Sequence, residues 1–333
     1  MHGHSLARQM EEWWRDHAGR HDDPAWHTYL DNYDLLFRTK LDELRAEHTN
    51  NGRFGMSKAS GCLRAAGLKF LGHPTEPFSG STLATFHVGH LLELMAIATI
   101  QAMGHTTRGT QEPVTLEDFM SSYHDDIIEN FDADGPVVLS VKTSAYKMSG
   151  LKRGGNKANP SDYMRRGFTE LPMDGVQRAQ SSWWAQAQAE MAGSGVHRTL
   201  VVAVAKDIVK VFETDPYMME NGSLTFYAEM IPFDPVFAAS HLLPAWREAW
   251  ADVQTGRPPR ALVLNKAGAY VPLARLGDVA SGWAGPNQAV TGSFNPCFGC
   301  DLQPACVAEL ASRYGSRIAG EGAAEAQQEA VPA

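Results

Sequence analysis

Pro136–Lys147 reads PVVLSVKTSAYK, and the reading of this stretch decides the fold. Val137, Leu139 and Val141 alternate with Val138, Ser140 and Lys142, the period of two that marks a strand. Lysine is almost never fully buried without a partner, so Lys142 in this apolar run calls for an anion beside it. Upstream, Tyr123–Phe131 is a second expected strand, opening with Asp125–Asp126. The Asp-Ala-Asp-Gly sequence at 132–135 folds the two strands into a hairpin. Adjacent strands carrying Asp and Lys toward one point can hold a divalent metal and a phosphate. The alternative is a solvated lysine on an edge strand, which would carry no chemistry.

With 333 residues, 44% hydrophobic and 20% charged, the chain can bury one large core or two. No apolar run approaches the ~18 residues of a membrane span. The first residues, MHGHSLARQMEEWWRDH, lack an apolar signal core. A soluble cytoplasmic protein with no membrane partner is expected. A net charge of −9 excludes a polycationic nucleic-acid coat, but not a local basic groove. Such a groove is offered by Lys142–Arg178, where eight Lys and Arg meet three acids, Lys152, Arg153, Arg165 and Arg166 among them. A Gly-rich basic loop beside a metal site is where a nucleic-acid backbone would lie; a solvated insertion is the bland reading.

Cys297, Cys300 and Cys306 form C-x2-C-x5-C, and Cys62 stands alone far upstream. In a reducing compartment such clustering favours metal over disulfide. No histidine lies near the trio, so the fourth ligand falls to Cys62, and four thiolates suit either zinc or an iron–sulfur cluster.

Along the chain, 5–17 and 24–47 read as amphipathic helices whose Trp13, Trp14, Trp26, Tyr29 and Tyr33 are packing residues. A short helix at 57–71 carries Cys62 and Arg64. Thr85–Met103 is a strongly apolar helix in which Glu93 sits among Leu91, Leu92, Leu94 and Met95. A carboxylate facing a core must be paired or bind a cation, unless it shares a polar stripe with His90. Gln180–Ala192 is a helix placing Gln186 about a turn beyond Trp183, ended by Gly193-Ser194-Gly195. Val196–Ala205 and Ile208–Thr214 are two further strands. Helices follow near 233–254 and at 304–317, with little periodicity over 260–295. The order predicts an α/β core, a mixed sheet flanked by helices. Residues 1–55 form a helical extension, 56–318 the catalytic domain, and 319–333 a low-complexity disordered tail.

Gly89-x3-Glu93, Asp125, the strand ending Val141-Lys142-Thr143 and the helical Q-x-Q-x-x-M of Gln186–Met191 come in an order that resembles the PD-(D/E)XK nuclease superfamily. More narrowly the set is similar to its RecB-like and phage exonuclease branch. Ser57-x4-Cys62-x-Arg64 with the C-terminal trio resembles the iron–sulfur subset, which includes the AddB nuclease domain and the CRISPR-associated adaptation exonuclease. The resemblance implies a restriction-endonuclease-like core and a 4Fe–4S cluster on Cys62, Cys297, Cys300 and Cys306 that staples the ends. It implies a metal-dependent DNA exonuclease, with Glu93 and Asp125, helped by Asp126, on Mg²⁺ or Mn²⁺. Lys142 would act at the phosphate, Gln186 would support it, and Lys152, Arg153, Arg165 and Arg166 would contact DNA. Recombination or replication proteins are the implied partners, and a phage origin fits the family's distribution. One departure stands out: the family's strand reads (D/E)-x-K, and here the acid's place is held by Ser140. Either Glu93 and the aspartates suffice, or Glu129 or Asp134 has moved in, or the protein binds DNA without cutting it. A structural zinc protein of unrelated function is the remaining alternative.

Overall fold

Two strands of nearly unbroken apolar sequence set the architecture. The computed structural model describes residues 3–45, 52–59, 61–75, 77–108, 113–144, 171–205, 225–264, 270–272 and positions 302, 305, 306 and 308. In chain order these form α1 (Gly3–His17), α2 (Pro24–Arg45), β1 (Phe54–Gly55), α3 (Leu63–Phe70) and α4 (Gly80–Ala102). Then come β2 (Pro113–Leu116), β3 (Met120–Tyr123), β4 (Asp126–Asp132), β5 (Gly135–Ser144), α5 (Leu171–Ala179) and α6 (Ser181–Ser194). They are followed by β6 (Arg198–Ala205), β7 (Phe226–Pro232), α7 (Leu243–Gln254), β8 (Leu262–Leu264) and β9 (Tyr270–Pro272). The chain divides into two units, one built from 1–51, 80–116 and 121–233, the other from 52–79, 117–120 and 234–333.

The first unit is organised by a sheet of order β4-β5-β6-β7. The central pair β5 and β6 is parallel, and both outer pairs are antiparallel. Strands covered on both faces read as continuous apolar runs, and β5 and β6 do so. Val137, Leu139 and Val141 join Leu200, Val202 and Val204 on the face that meets Leu6 and Met10 of α1 and Ile97 and Ile100 of α4. Each such fully buried side chain contributes roughly 1.5–3 kcal/mol. Val138, Ser140 and Lys142 alternate to the other face, on which α6 packs. That helix stops where Gly195 takes a left-handed conformation and returns its N–H to Met191. The expected mixed α/β sheet flanked by helices is therefore present.

The hairpin turn at 132–135 is also present. Asp132 accepts from the Asp134 N–H at 2.9 Å, Gly135 adopts φ +97°, and the Arg198 guanidinium forks onto Asp132 at 2.9 Å. The N-terminal aromatics are packing residues, as expected: Trp26 stacks on Tyr29 at 5.0 Å, and Trp14 donates to Thr99 Oγ1 at 3.1 Å.

Several expected elements differ. The strand expected over Tyr123–Phe131 is broken, since β3 ends at Tyr123 and β4 begins at Asp126. The break coincides with a bond across the hairpin: the Val141 N–H donates to Asp125 Oδ2 at 2.6 Å, so a side chain takes the bond that ladder backbone would have taken. The helix expected at 57–71 is a 3₁₀ turn, Met56–Lys58, followed by α3 with Cys62 at its N-cap. Strand β7 was not expected, and Ile208–Thr214 lies outside the described residues. The helix expected near 233–254 opens with Pro235–Phe237 capped by Asp234 and passes through a π-helical turn, Ala238–Leu242, into α7. Within 260–295, β8 and β9 pair as a small antiparallel hairpin. By length and composition α4 could cross a membrane, which reading for unbroken apolar runs had missed. In the fold, however, Leu94 and Ala96–Ile100 in its second half are core.

The second unit centres on Trp246, fully buried, 5.1 Å from the Phe54 ring and donating to Tyr270 Oη at 2.7 Å. Tyr270 donates in turn to the Ala59 carbonyl. Gly67 of α3 is required for close approach, because a Cβ there would lie 2.1 Å from Pro259 Cδ.

Candidate active site

Among the described residues, the charged groups around Lys142 belong to the first unit. Lys142 lies near the end of β5, opposite Ala203, and is half-buried. Asp125 occupies the break between β3 and β4, fixed by its bond to the Val141 N–H. Glu93 arrives from α4, which passes close to β5: a Cβ at Gly89, one turn earlier, would be in ordinary contact with Thr143 Oγ1 at 3.4 Å. The Glu93 side chain is 15% exposed and lies 3.6 Å from His90 Nδ1. Glu93 thus shares a stripe with His90, as the solvated alternative has it, but is largely withdrawn from solvent.

A further carboxylate, which sequence reasoning missed, enters from α6. Glu190 is 2% exposed, and its Oε1 accepts from Gln186 Nε2 at 2.8 Å and from Ser122 Oγ at 3.2 Å. The signal was available, since Gln186 and Glu190 are four residues apart on one helix face. The Gln186 amide, expected to support Lys142, is thus engaged by Glu190. Burial pushes the Glu190 carboxyl upward, and Lys142, Gln186 and Ser122 pull it back in part.

Asp125 registers the whole arrangement. Its carboxyl is pushed up to about 7, by desolvation first and by Glu93 next. Lys142 and the Val141 N–H oppose that rise, while Glu190 adds to it. Among the described residues, the electrostatics of Asp125 thus register three carboxylates and one lysine. Among the described residues, no three His, Cys, Asp or Glu side chains are gathered closely enough to hold a metal ion as they stand.

The remaining expected site residues fall elsewhere. Asp126 is buried opposite Leu139 on β4, its Oδ1 accepting the Ile127 N–H at 2.7 Å. Neither acid considered as a substitute for the one missing at Ser140 belongs to this group. Glu129 is exposed and pairs with Arg108 at 3.6 Å, and Asp134 is 80% exposed at the hairpin turn beside Arg198. Lys152, Arg153, Arg165 and Arg166 lie outside the described residues.

In the second unit, Cys62 is half-buried at the start of α3 and Cys306 is buried in a helical position; neither is in a disulfide. Arg64, itself buried, donates from Nε to Cys306 Sγ at 3.3 Å and from Nη1 to the Pro259 carbonyl at 3.2 Å. Burial pushes the Cys306 thiol up and Arg64 draws it down. Cys297 and Cys300 lie outside the described residues.

No family model matches the chain, and no curated protein matches it either. Among solved structures, it is similar to an alkaline exonuclease (LHK-Exo) from Laribacter hongkongensis, at 12% identity and a TM-score of 0.38, over 67% of this chain and 93% of that one. The same enzyme in complex with dAMP gives 12% and 0.38, over 62% and 89%. A protein described as SSO0001 gives 13% and 0.34, over 67% and 85%. Likenesses of this size settle neither fold nor chemistry.

Proposed function

We propose that the chain is a metal-dependent nuclease acting on DNA, and more narrowly an exonuclease of the iron–sulfur branch of the PD-(D/E)XK superfamily. The observation that carries the reading is the carboxylate of Asp125, fixed to β5 one residue from Lys142 by the Val141 N–H at 2.6 Å and pushed up to about 7, by burial first and by Glu93 next. Among the described residues one lysine faces this excess of carboxylate, and a hard dication with oxygen ligands would offset it. Glu93 and Asp125 would hold Mg²⁺ or Mn²⁺, and the bound ion would supply polarisation of the scissile phosphate and a more acidic water. Lys142 donates to a phosphate oxygen and steadies the charge that develops there. Gln186 and Ser122 hold Glu190 in place by the bonds already described. DNA would lie along the basic stretch that includes Lys152, Arg153, Arg165 and Arg166.

We assign Cys62, Cys297, Cys300 and Cys306 to a 4Fe–4S cluster. Arg64 supports this choice, since a buried guanidinium on a cysteine sulfur favours the thiolate that such a cluster needs. Zinc would use the same four ligands, and colour separates the two.

A second reading is kept alive by Ser140, which is buried and stands where a carboxylate would be the better metal ligand. On that reading the protein binds DNA without cutting it. The deciding experiment is degradation of end-labelled linear DNA by anaerobically purified protein with Mg²⁺ or Mn²⁺. Loss of label that EDTA stops, and that Lys142→Ala abolishes without abolishing binding, supports the nuclease. Intact DNA under both metals, with binding preserved in the parent, replaces it with the binding protein.

A further inference from the structure

Arg64 places a cation where little water reaches it, at 6% exposure, two residues beyond the Cys62 cap of α3. Its Nε donates to Cys306 Sγ at 3.3 Å, and its Nη1 donates to the Pro259 carbonyl at 3.2 Å. Both acceptors are fixed in turn. The Cys306 N–H bonds to the Leu302 carbonyl at 2.9 Å, and the Pro259 ring lies so close to α3 that it leaves no room for a Cβ at Gly67. The planar guanidinium spans these two anchors and keeps an N–H aimed at the sulfur. Cys306 is thereby drawn to the first turn of α3, which starts at Cys62. In the iron–sulfur assignment above, four thiolates outweigh the positive charge of the iron–sulfide core. The bound group is then an anion, and each electron it gains makes it more negative. A cation donating to one of its sulfurs stabilises the reduced form more than the oxidised one, which raises the reduction potential.

We propose that Arg64 is a positioning residue of the cluster site: through its bond to Cys306 it sets the cluster's reduction potential, holding it above what the four cysteines alone would give. The inference rests on the iron–sulfur assignment and is independent of the nuclease reading.

The test is a redox titration of the anaerobically purified full-length protein with dithionite, which supplies the single electron that each cluster takes up, followed by absorbance and electron paramagnetic resonance. Arg64→Met keeps most of the side-chain volume and removes the charge and the donors. At a given potential its ratio of reduced to oxidised cluster should fall by about tenfold, which for a one-electron couple is about 59 mV. Arg64→Lys keeps the charge but not the fork that reaches sulfur and carbonyl together, and its ratio should fall by about threefold. A cluster-loaded Arg64→Met with the parent's potential overturns the inference, since a merely structural Arg64 would change stability and leave the potential alone. A parent cluster that dithionite leaves oxidised overturns it as well. Should Arg64→Met not fold, the parent decides. With nitrogen-isotope-labelled arginine, electron–nuclear double resonance of its reduced cluster should show a coupling to the label, and no such coupling overturns the inference. Colourless protein without iron removes the cluster assignment and this inference together. Brown protein whose potential is indifferent to Arg64→Met removes this inference alone.

Discussion

Exchanging Asp125 for asparagine should make the protein more stable above neutral pH, at the expense of any activity that needs the carboxylate. The carboxyl rises from an ordinary 3.8 to about 7 in the fold. Between those values the folded chain holds a proton that the unfolded chain has released, so stability falls as pH rises through this window and levels off above about 7. Fully expressed, the gap would cost ~4 kcal/mol at pH 8. Asp125 is only half-buried, so solvent screening reduces that to ~1–2 kcal/mol. Asparagine keeps an oxygen to accept the Val141 N–H, which bonds to Asp125 at 2.6 Å, so the backbone at the break is preserved. At ~2–4 °C per kcal/mol for a domain of this size, the variant should melt a few degrees above the parent at pH 8. The difference should close toward pH 4. The assay is a series of thermal melts of both proteins in EDTA across that range. A variant that melts at or below the parent at pH 8, or that shows the parent's full pH slope, would refute the electrostatic account of the site.

Other expectations concern both units. Gly67→Ala should cost ~1–3 kcal/mol, because the new methyl would meet Pro259 at 2.1 Å and one of the two must move; urea unfolding would measure it. Anaerobically purified protein should be brown with absorbance near ~400 nm, and Cys306→Ser should lose both colour and iron, whereas colourless protein containing zinc would set the cluster aside. Replacing Lys152, Arg153, Arg165 and Arg166 together by alanine should flatten the salt dependence of DNA binding by roughly 3–4 in log–log slope, as read by fluorescence anisotropy. An unchanged slope would show that these residues do not contact phosphate.

What could be read from the sequence followed from periodicity. The alternation in PVVLSVKT located β5 and put Lys142 on the face away from Val141, and the Asp-Ala-Asp-Gly turn located its hairpin partner. Helices α1, α2, α4 and α6 were legible because their apolar spacing is long enough to exclude a strand. β7 was not, since its short run FYAEMIP places Glu229 and Met230 inside a strand that tertiary pairing with β6 holds in register. The break at Asp125 was also invisible, because it depends on a side chain capturing the backbone N–H of Val141, a partner outside the local pattern. Glu190 was illegible for a related reason: it lies on neither the strand nor the hairpin but on helix α6, and its burial depends on packing with elements distant in sequence.

Helix α4 raises a question of timing. The sheet residues that bury Leu94, Ile97 and Ile100 lie between Ile128 and Ala228, well downstream. Protein synthesis runs from the N-terminus at roughly 5–20 residues per second, so a helix apolar enough to cross a membrane leaves the ribosome with α1 and α2 already made but seconds before the sheet exists. An acidic residue near the middle of such a segment disfavours membrane insertion by ~2.5–3.5 kcal/mol. Glu93 occupies that position, so the carboxylate placed beside Asp125 in the finished fold would also keep the nascent helix in water. Glu93→Leu should accordingly send part of the newly made chain to the membrane fraction, an outcome that a role confined to the mature site would not produce.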